Sequence, residues 1–145
     1  MRVALVVLWV CFIWGHSLVS GPDSDAESLA FVRVLSGLFA GLGVTDVSTM
    51  DFIVRKTAHF TEYLVLGILG TVALRPSRVS PRSIVGLAVL VVGTPSIDET
   101  IQLSVAGRAG QVADVLLDIS GACCGVAIAC GVRALRARRR AQAAG

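Results

Sequence analysis

The residues best suited to chemistry are polar and ionisable side chains at the ends of three otherwise apolar segments. Lys56, His59 and Glu62 lead into an apolar run that ends at Leu74. Two later apolar runs, 83–97 and 115–132, are bordered by a second polar set: Asp98, Glu99, Gln102, Asp114 and Asp118. Ionisable groups at a bilayer edge are costly, so this pattern indicates a functional site whose members are partners of one another.

Helical spacing predicts which of these side chains meet. At 100° per residue, Lys56, His59 and Tyr63 share one sector of a helix, with Glu62 on its shoulder. Five carboxylates against Lys56 and Arg108 leave a net charge of −3 if all converge. Such repulsion must protonate a carboxylate, charge His59 or recruit a cation. The predicted ligand-binding residues are Lys56, His59, Glu62, Tyr63, Asp98, Glu99, Gln102, Arg108, Asp114 and Asp118.

Several chemistries fit this set. In a binding site, Lys56 and Arg108 would engage phosphate or carboxylate, while the carboxylates position a cation or amine. In a hydrolase or transferase acting on lipid-linked intermediates, the candidate catalytic residues are His59, Glu62 and Asp114, with His59 as general base. A polar network that only locks helices together and a proton-coupled transporter are the other interpretations. A lone H-x-x-E pair lacks matching motifs on other helices, so no metal and no cofactor is predicted.

Composition decides the broad class. The chain has 145 residues, of which 54% are hydrophobic and 16% charged, and its mean hydropathy is +0.78. A soluble domain of this size has about a quarter charged residues, so the chain is expected to be a membrane protein. The four cysteines lie inside apolar runs, where we expect free thiols that fill small apolar spaces. No phosphate loop or dinucleotide fingerprint is present, and no nucleic-acid partner is expected.

Apolar runs predict an all-α integral membrane bundle that forms one domain over residues 1–145. A span needs roughly 20 mostly apolar residues, and four are predicted, over 3–19, 58–74, 83–97 and 112–132. Pro95 should distort the last turn of the third. The segment 29–44 reaches only about 24 Å as a helix, so it is predicted to lie in the interface as an amphipathic helix. Gly67 continues the helix face of Lys56 and His59, and it should face another helix. Gly121 and Gly125 continue the face of Asp114 and Asp118, and they should do the same.

Basic residues predict the orientation. The turn 75–82 and the tail 133–145 hold eight of the 13 basic residues, and short cytoplasmic loops are enriched in Lys and Arg. We therefore expect the C-terminus to be cytoplasmic and the polar cluster to face outwards, in contact with membrane lipid. The members of the basic set are Arg75, Arg78, Arg82, Arg133, Arg136, Arg138, Arg139 and Arg140.

The same residues resemble a known family, the VanZ-like membrane proteins. The resemblance covers Lys56 to Gly125 and lies in three ordered elements: Lys56-x-x-His59-x-x-Glu62-Tyr63-x-x-Leu66-Gly67, Asp98-Glu99-x-x-Gln102, and Gly107-Arg108-x-Gly110-x-x-x-Asp114-x-x-x-Asp118-x-x-Gly121. Asp118 stands where the family often has Asn. The resemblance implies a small helical cell-envelope protein. The family's namesake is linked to low-level teicoplanin resistance, and the resemblance supplies no established reaction.

Overall fold

The computed structural model describes residues 1–74 and 80–143, and within these ranges it contains helices and no strand. The helices are α1 (Arg2–Ser17), α2 (Gly21–Gly41), α3 (Val47–Leu74), α4 (Pro81–Ala88), α5 (Thr94–Gln102) and α6 (Val112–Ala143). A π-helical turn, Val89–Gly93, joins α4 to α5. The predicted all-α bundle is confirmed.

Three helical segments are long and apolar enough to cross a membrane: Val47–Leu74, Pro81–Gln102 and Val112–Ala143. The pair α1 and α2 would supply a fourth if it forms one span, although it is bent by 105°. Only 28%, 22% and 28% of the best windows of the three spans are buried inside the protein. The remaining apolar surface is larger than a protein in water exposes, as expected of a membrane protein.

α3 lies at the centre of the bundle, and its interface with α6 is the most extensive in the described chain. The main core includes Val6 and Ile13 of α1, Tyr63 and Leu66 of α3, and Ala122 of α6. Gly67 and Gly125 allow the close approach of α3 to α6, because a Cβ at either position would collide with a carbonyl oxygen of the facing helix. The predicted glycine seam is therefore confirmed.

Several helix boundaries differ from those predicted. The helix predicted from residue 58 begins at Val47, because Asp46 caps it by accepting a hydrogen bond of 2.8 Å from the Thr49 backbone N–H. α2 begins at Gly21, so the acidic stretch before residue 29 is helical rather than a loop, with Ser20 as N-cap. α6 continues to Ala143 and includes most of the basic tail.

Pro95 distorts its helix further from the end than predicted. It has no N–H to donate to the carbonyl of Val91, and the chain widens into the π-helical turn Val89–Gly93 just before it. Regular helix then resumes and extends to Gln102, which places Asp98 and Gln102 on successive turns of α5. The Gln102 side chain donates a hydrogen bond of 3.4 Å to Asp98 along this face of α5.

The four cysteines are free, as predicted, but they are exposed on the chain rather than buried. They lie on the faces of α1 and α6 that point away from the bundle, so the four thiols fill no internal space. The placement of α2 in the membrane interface stays a prediction. α2 packs its Val32 and Phe39 against Met50 at the start of α3.

Candidate functional site

The polar residues of three helices converge at one end of the bundle, around a cavity of about 530 Å³. α3 contributes one wall, α6 and the end of α5 contribute another, and the connection 103–111 contributes the rest of the lining. The polar residues that line the cavity are Ser48, Asp51, Arg55, Lys56, His59, Gln102, Arg108, Gln111 and Asp114.

Lys56 and Asp114 form an ion pair across the cavity, between α3 and α6. Both side chains are half-buried, and the Lys56 ammonium also lies 5.3 Å from the ring centroid of Phe52. The pair links the two helices directly above their glycine contact. Asp114, a candidate catalytic residue, therefore has its charge compensated within the protein.

Arg108 is positioned by the close packing of two backbone segments, one at Gly21 and the other at Gly107. Gly107 has a φ of +76°, and the Gly21 N–H donates a 3.0 Å hydrogen bond to the Ala106 carbonyl. This backbone contact aims Arg108 at the carboxyl end of α1, where it donates to the carbonyls of Val19 at 3.2 Å and His16 at 3.4 Å. In the described chain no carboxylate forms an ion pair with it.

Burial lowers the pKa of the Arg108 guanidinium, and the nearby Arg55 charge lowers it further. It still remains protonated at neutral pH, because an arginine starts above about 12. Arg55 itself forms an ion pair with Asp25 of α2. The cavity therefore holds three cations, Arg55, Lys56 and Arg108, and Arg108 donates two of its five N–H groups to neutral carbonyls.

A deeper group of side chains lies behind the cavity wall formed by His59. Asp98 and Asp118 are fully buried, and His59 Nδ1 is 3.7 Å from Asp118 Oδ1. Tyr63, one turn after His59, is also fully buried. Five atoms of these four residues have no hydrogen-bond partner in the described structure: His59 Nδ1, Tyr63 Oη, Asp98 Oδ1 and both carboxylate oxygens of Asp118. This group is therefore not a structural network in which every buried polar atom has a hydrogen-bond partner.

Glu99 and Gln102 support the group from outside. Glu99 accepts a 2.8 Å hydrogen bond from the Gln111 backbone N–H, which ties α5 to the start of α6. The Gln102 amide donates to both Asp98 and Glu99 at 3.4 Å. Both residues are buried. Glu99 therefore fixes the position of the connection at Gln111, and Gln102 orients the Asp98 carboxylate.

Glu62 is the one predicted residue that points elsewhere. It pairs with His16 of α1 at 3.4 Å, and His16 is also 3.5 Å from Glu27 of α2. The sequence motif suggested Glu62 as the partner of His59, but their helix turns them to different neighbours. Sequence analysis missed His16 and Arg55. The signal for His16 was its position as a polar residue at the end of an apolar run, the same pattern that revealed the other sites.

The sequence analysis predicted no metal site because the H-x-x-E pair had no counterpart on other helices. The structure instead brings together His59, Asp98 and Asp118, one from each of three helices, with one potential ligand atom each within 4.8 Å of one another. Such a set has no sequence spacing that could reveal it.

The comparison with known proteins identifies the family. The sequence profile of the VanZ/LLP1 family matches residues 2–134, which is nearly the whole chain. The chain therefore belongs to the VanZ/LLP1 family, as its motifs indicated. No curated protein and no solved structure matches it.

Proposed function

We propose that this VanZ/LLP1-family membrane protein binds an anionic, envelope-associated ligand in the polar cavity, through the phosphate or carboxylate of that ligand. The observation that supports this most strongly is the presence of three cationic side chains around one cavity of about 530 Å³. The same lining holds two carboxylates, Asp51 and Asp114, so Lys and Arg exceed carboxylates by three to two. An excess of positive charge in a cleft favours the entry of anions.

The three cations have different roles in this proposal. Arg108 offers charge that no carboxylate in the described chain neutralises, so it is the first contact. Lys56 has three donors on a compact ammonium, so it keeps its bond with Asp114 and donates another to the ligand anion. Arg55 is held by Asp25 and contributes mainly to the potential.

The cavity faces the outside of the cell in this proposal, and the chain acts in the cell envelope. Arg133 donates a 2.6 Å hydrogen bond to the Thr71 carbonyl, so the basic end of α6 lies beside the end of α3, opposite the polar cavity. With that basic end in the cytoplasm, as basic segments favour, the cavity opens to the outer leaflet. The basic turn positions 75–79 fall outside the described residues.

The binding test uses the purified full-length chain in detergent with a polyprenyl phosphate as probe. We expect Lys56→Met and Arg108→Gln to weaken binding by roughly 10- to 100-fold, the value of about 1.5–3 kcal/mol for a hydrogen bond to a charged group. Arg138→Gln, in the exposed end of α6, is the matched control and should bind as the unaltered chain does. Equal binding by all three variants would contradict the proposal.

A cellular role in glycopeptide tolerance also belongs to this proposal, because the family's namesake is linked to teicoplanin resistance. Expression of the chain in a susceptible bacterium should raise the teicoplanin concentration needed to stop growth. Lys56→Met, expressed at the same level, should not. An unchanged concentration with the unaltered chain would remove this role and leave the binding site to be judged by the probe alone.

The alternative is a membrane-embedded hydrolase or transferase acting on lipid-linked envelope intermediates. His59 favours it, because it lines the cavity and lies 3.7 Å from the buried Asp118, as a general base and its orienting acid would. The two functions differ in the fate of the probe. Mass spectrometry of the polyprenyl phosphate after incubation should show it intact for a binding protein, whereas its hydrolysis by water to polyprenol and inorganic phosphate would establish the enzyme.

A further inference from the structure

The strongest unexplained feature of the bundle is the buried group behind His59. His59 from α3, Asp98 from α5 and Asp118 from α6 place their ligand atoms within 4.8 Å of one another, and both aspartates are fully buried. Every other acid of the polar cluster has a partner. Asp114 is paired with Lys56, Glu62 with His16, and Glu99 with the Gln111 backbone.

The unpartnered atoms all belong to this group or to its neighbour Tyr63. Neither oxygen of Asp118 accepts a hydrogen bond in the described structure, and Asp98 Oδ1 and His59 Nδ1 also lack partners. Buried polar groups in native proteins are hydrogen-bonded in the great majority of cases, and a buried carboxylate without a counter-charge is costly. Asp98 has one weak partner in the described structure, the 3.4 Å hydrogen bond from Gln102 to its other oxygen. Buried carboxylates left in this way take up a proton or a metal cation, and the convergence of both with an imidazole favours the cation.

We propose that His59, Asp98 and Asp118 bind one divalent cation of the first transition series, Zn²⁺ or Mn²⁺. The donor set of one imidazole nitrogen and two carboxylate oxygens suits these ions. Two carboxylates neutralise the +2 charge, which removes the cost of burying either alone. The Tyr63 hydroxyl, one turn along α3, is available as a further oxygen donor or as a partner for a ligand oxygen.

This proposal rests on the proposed function and deepens it. His59 forms part of the cavity wall and its buried Nδ1 faces Asp118, so a cation on that nitrogen lies just behind the wall, next to the anion cavity. Three protein ligands leave a coordination position open, as catalytic rather than structural metal sites do. A phosphate or carboxylate oxygen of the ligand would fill it, while Lys56 and Arg108 hold the rest of the anion.

The test is metal binding by the full-length chain in detergent, stripped with a chelator and then titrated with Zn²⁺ and Mn²⁺ separately by calorimetry. We expect one equivalent of at least one ion per chain. Asp118→Asn should weaken that binding by about 100-fold or more, because it removes a ligand and loss of an outer-shell partner alone costs about 10- to 100-fold. Glu62→Gln is the matched control on α3 and should bind normally.

A second measurement separates a ligand from a merely structural aspartate. In the metal-free state, Asp118→Asn should unfold at the same temperature as the unaltered chain or at a higher one, because it replaces a buried acid that lacks a hydrogen-bond partner with a neutral amide of the same shape. Metal should then raise the unfolding temperature of the unaltered chain but not of the variant. A structural aspartate would give lower stability in the variant and no metal effect in either protein.

The unaltered chain decides the matter even where a variant fails to fold. With Mn²⁺, a pulsed electron paramagnetic resonance spectrum should show coupling to an imidazole nitrogen. The absence of a stoichiometric site for both ions in folded protein would overturn the metal proposal. Polyprenyl phosphate binding that persists without metal would leave the anion cavity standing, whereas metal binding without any anion binding would overturn the proposed function alone.

Discussion

At the scale of single residues, the ionisable side chains differ mainly in whether a partner lies within reach. Lys56 and Asp114 compensate each other across two helices, while Asp118 has no hydrogen-bond partner in the described chain and only His59 Nδ1 nearby, at 3.7 Å. Glu62 shows how little a motif says about pairing. It is one turn from His59 on α3, yet its nearest basic group is His16 of α1.

The Lys56–Asp114 pair should be energetically coupled. Half-burial reduces solvent screening, so a double-mutant cycle of Lys56→Met and Asp114→Asn should give a coupling of about 1–2 kcal/mol. The matched control is the more exposed Arg55–Asp25 pair, tested with Arg55→Gln and Asp25→Asn, where we expect less than about 1 kcal/mol. The measurement is chemical unfolding in detergent. Similar couplings for the two pairs would show that burial is not the deciding factor.

Asp46 should make the capping of α3 sensitive to acid. Hydrogen bonds from the Thr49 side chain, the Ser48 side chain and the Thr49 backbone lower the pKa of Asp46 from 3.8 to about 2. Because the pKa of Asp46 is lower in the folded state, its ionised carboxylate contributes fully to the stability of the folded chain well above pH 3.8. This contribution is lost as the pH falls towards about 2.

At pH 6, Asp46→Ala should therefore unfold at a lower temperature than the unaltered chain, because it has lost the cap. The difference between the two unfolding temperatures should shrink as the pH is lowered towards about 2. Asp46→Asn is the control, since asparagine can cap a helix but does not titrate. Its advantage over alanine should persist in acid. A difference that is independent of pH between the unaltered chain and Asp46→Ala would exclude the ionised carboxylate as the cap.

At the scale of helices, the α3–α6 interface depends on the absence of side chains. A Cβ at Gly125 would collide with the Leu64 carbonyl oxygen of α3, whereas nothing lies within 4 Å of one at Gly131, two turns later on the same helix. Backbone cannot move aside as a flexible side chain does, so the helices themselves would have to separate.

Alanine at these two glycines should have opposite effects. Gly125→Ala should lower the stability of the detergent-solubilised chain by about 1–3 kcal/mol through overpacking. Gly131→Ala should leave it unchanged or raise it by up to about 1 kcal/mol, because alanine favours helix more than glycine does. Unfolding in denaturant measures both. Two equal losses would mean that the interface continues past Ala129.

At the scale of the whole molecule, the bundle has a polar end and a basic end. Lys56, Asp114 and Arg108 surround the cavity at the first, while Arg133 contacts Thr71 at the second. From this difference between the two ends we predict the orientation in the membrane, with the basic end in the cytoplasm.

Cysteine labelling should reveal that orientation in a variant without the four native cysteines. Thr45→Cys, exposed before α3, should react with an impermeant thiol reagent in whole cells. Ala141→Cys, exposed near the end of α6, should react only after permeabilisation. Ser24, although it lies in the same outer segment by sequence, is buried and would be a poor position. Labelling of Ala141→Cys in intact cells would reverse the orientation.

The sequence alone determined what depends on local pattern and on burial cost. Apolar runs separated by charge predict helices in a membrane, and glycines on one stripe predict a close interface, because both follow from helical periodicity and hydrophobicity. The convergence of polar ends was predictable for the same reason. The family followed from ordered motifs between Lys56 and Gly125.

Only the tertiary structure decided which partners meet, because helix rotation and tilt lie outside any local pattern. The rotation of α3 turns His59 towards Asp98 and Asp118. The same rotation turns Glu62 towards His16, with which it pairs. The packing of Gly21 against Gly107, distant in sequence, is what places Arg108 at the end of α1. A cluster drawn from three helices has no spacing in the chain, so its potential as a metal site arises only when those helices are brought together.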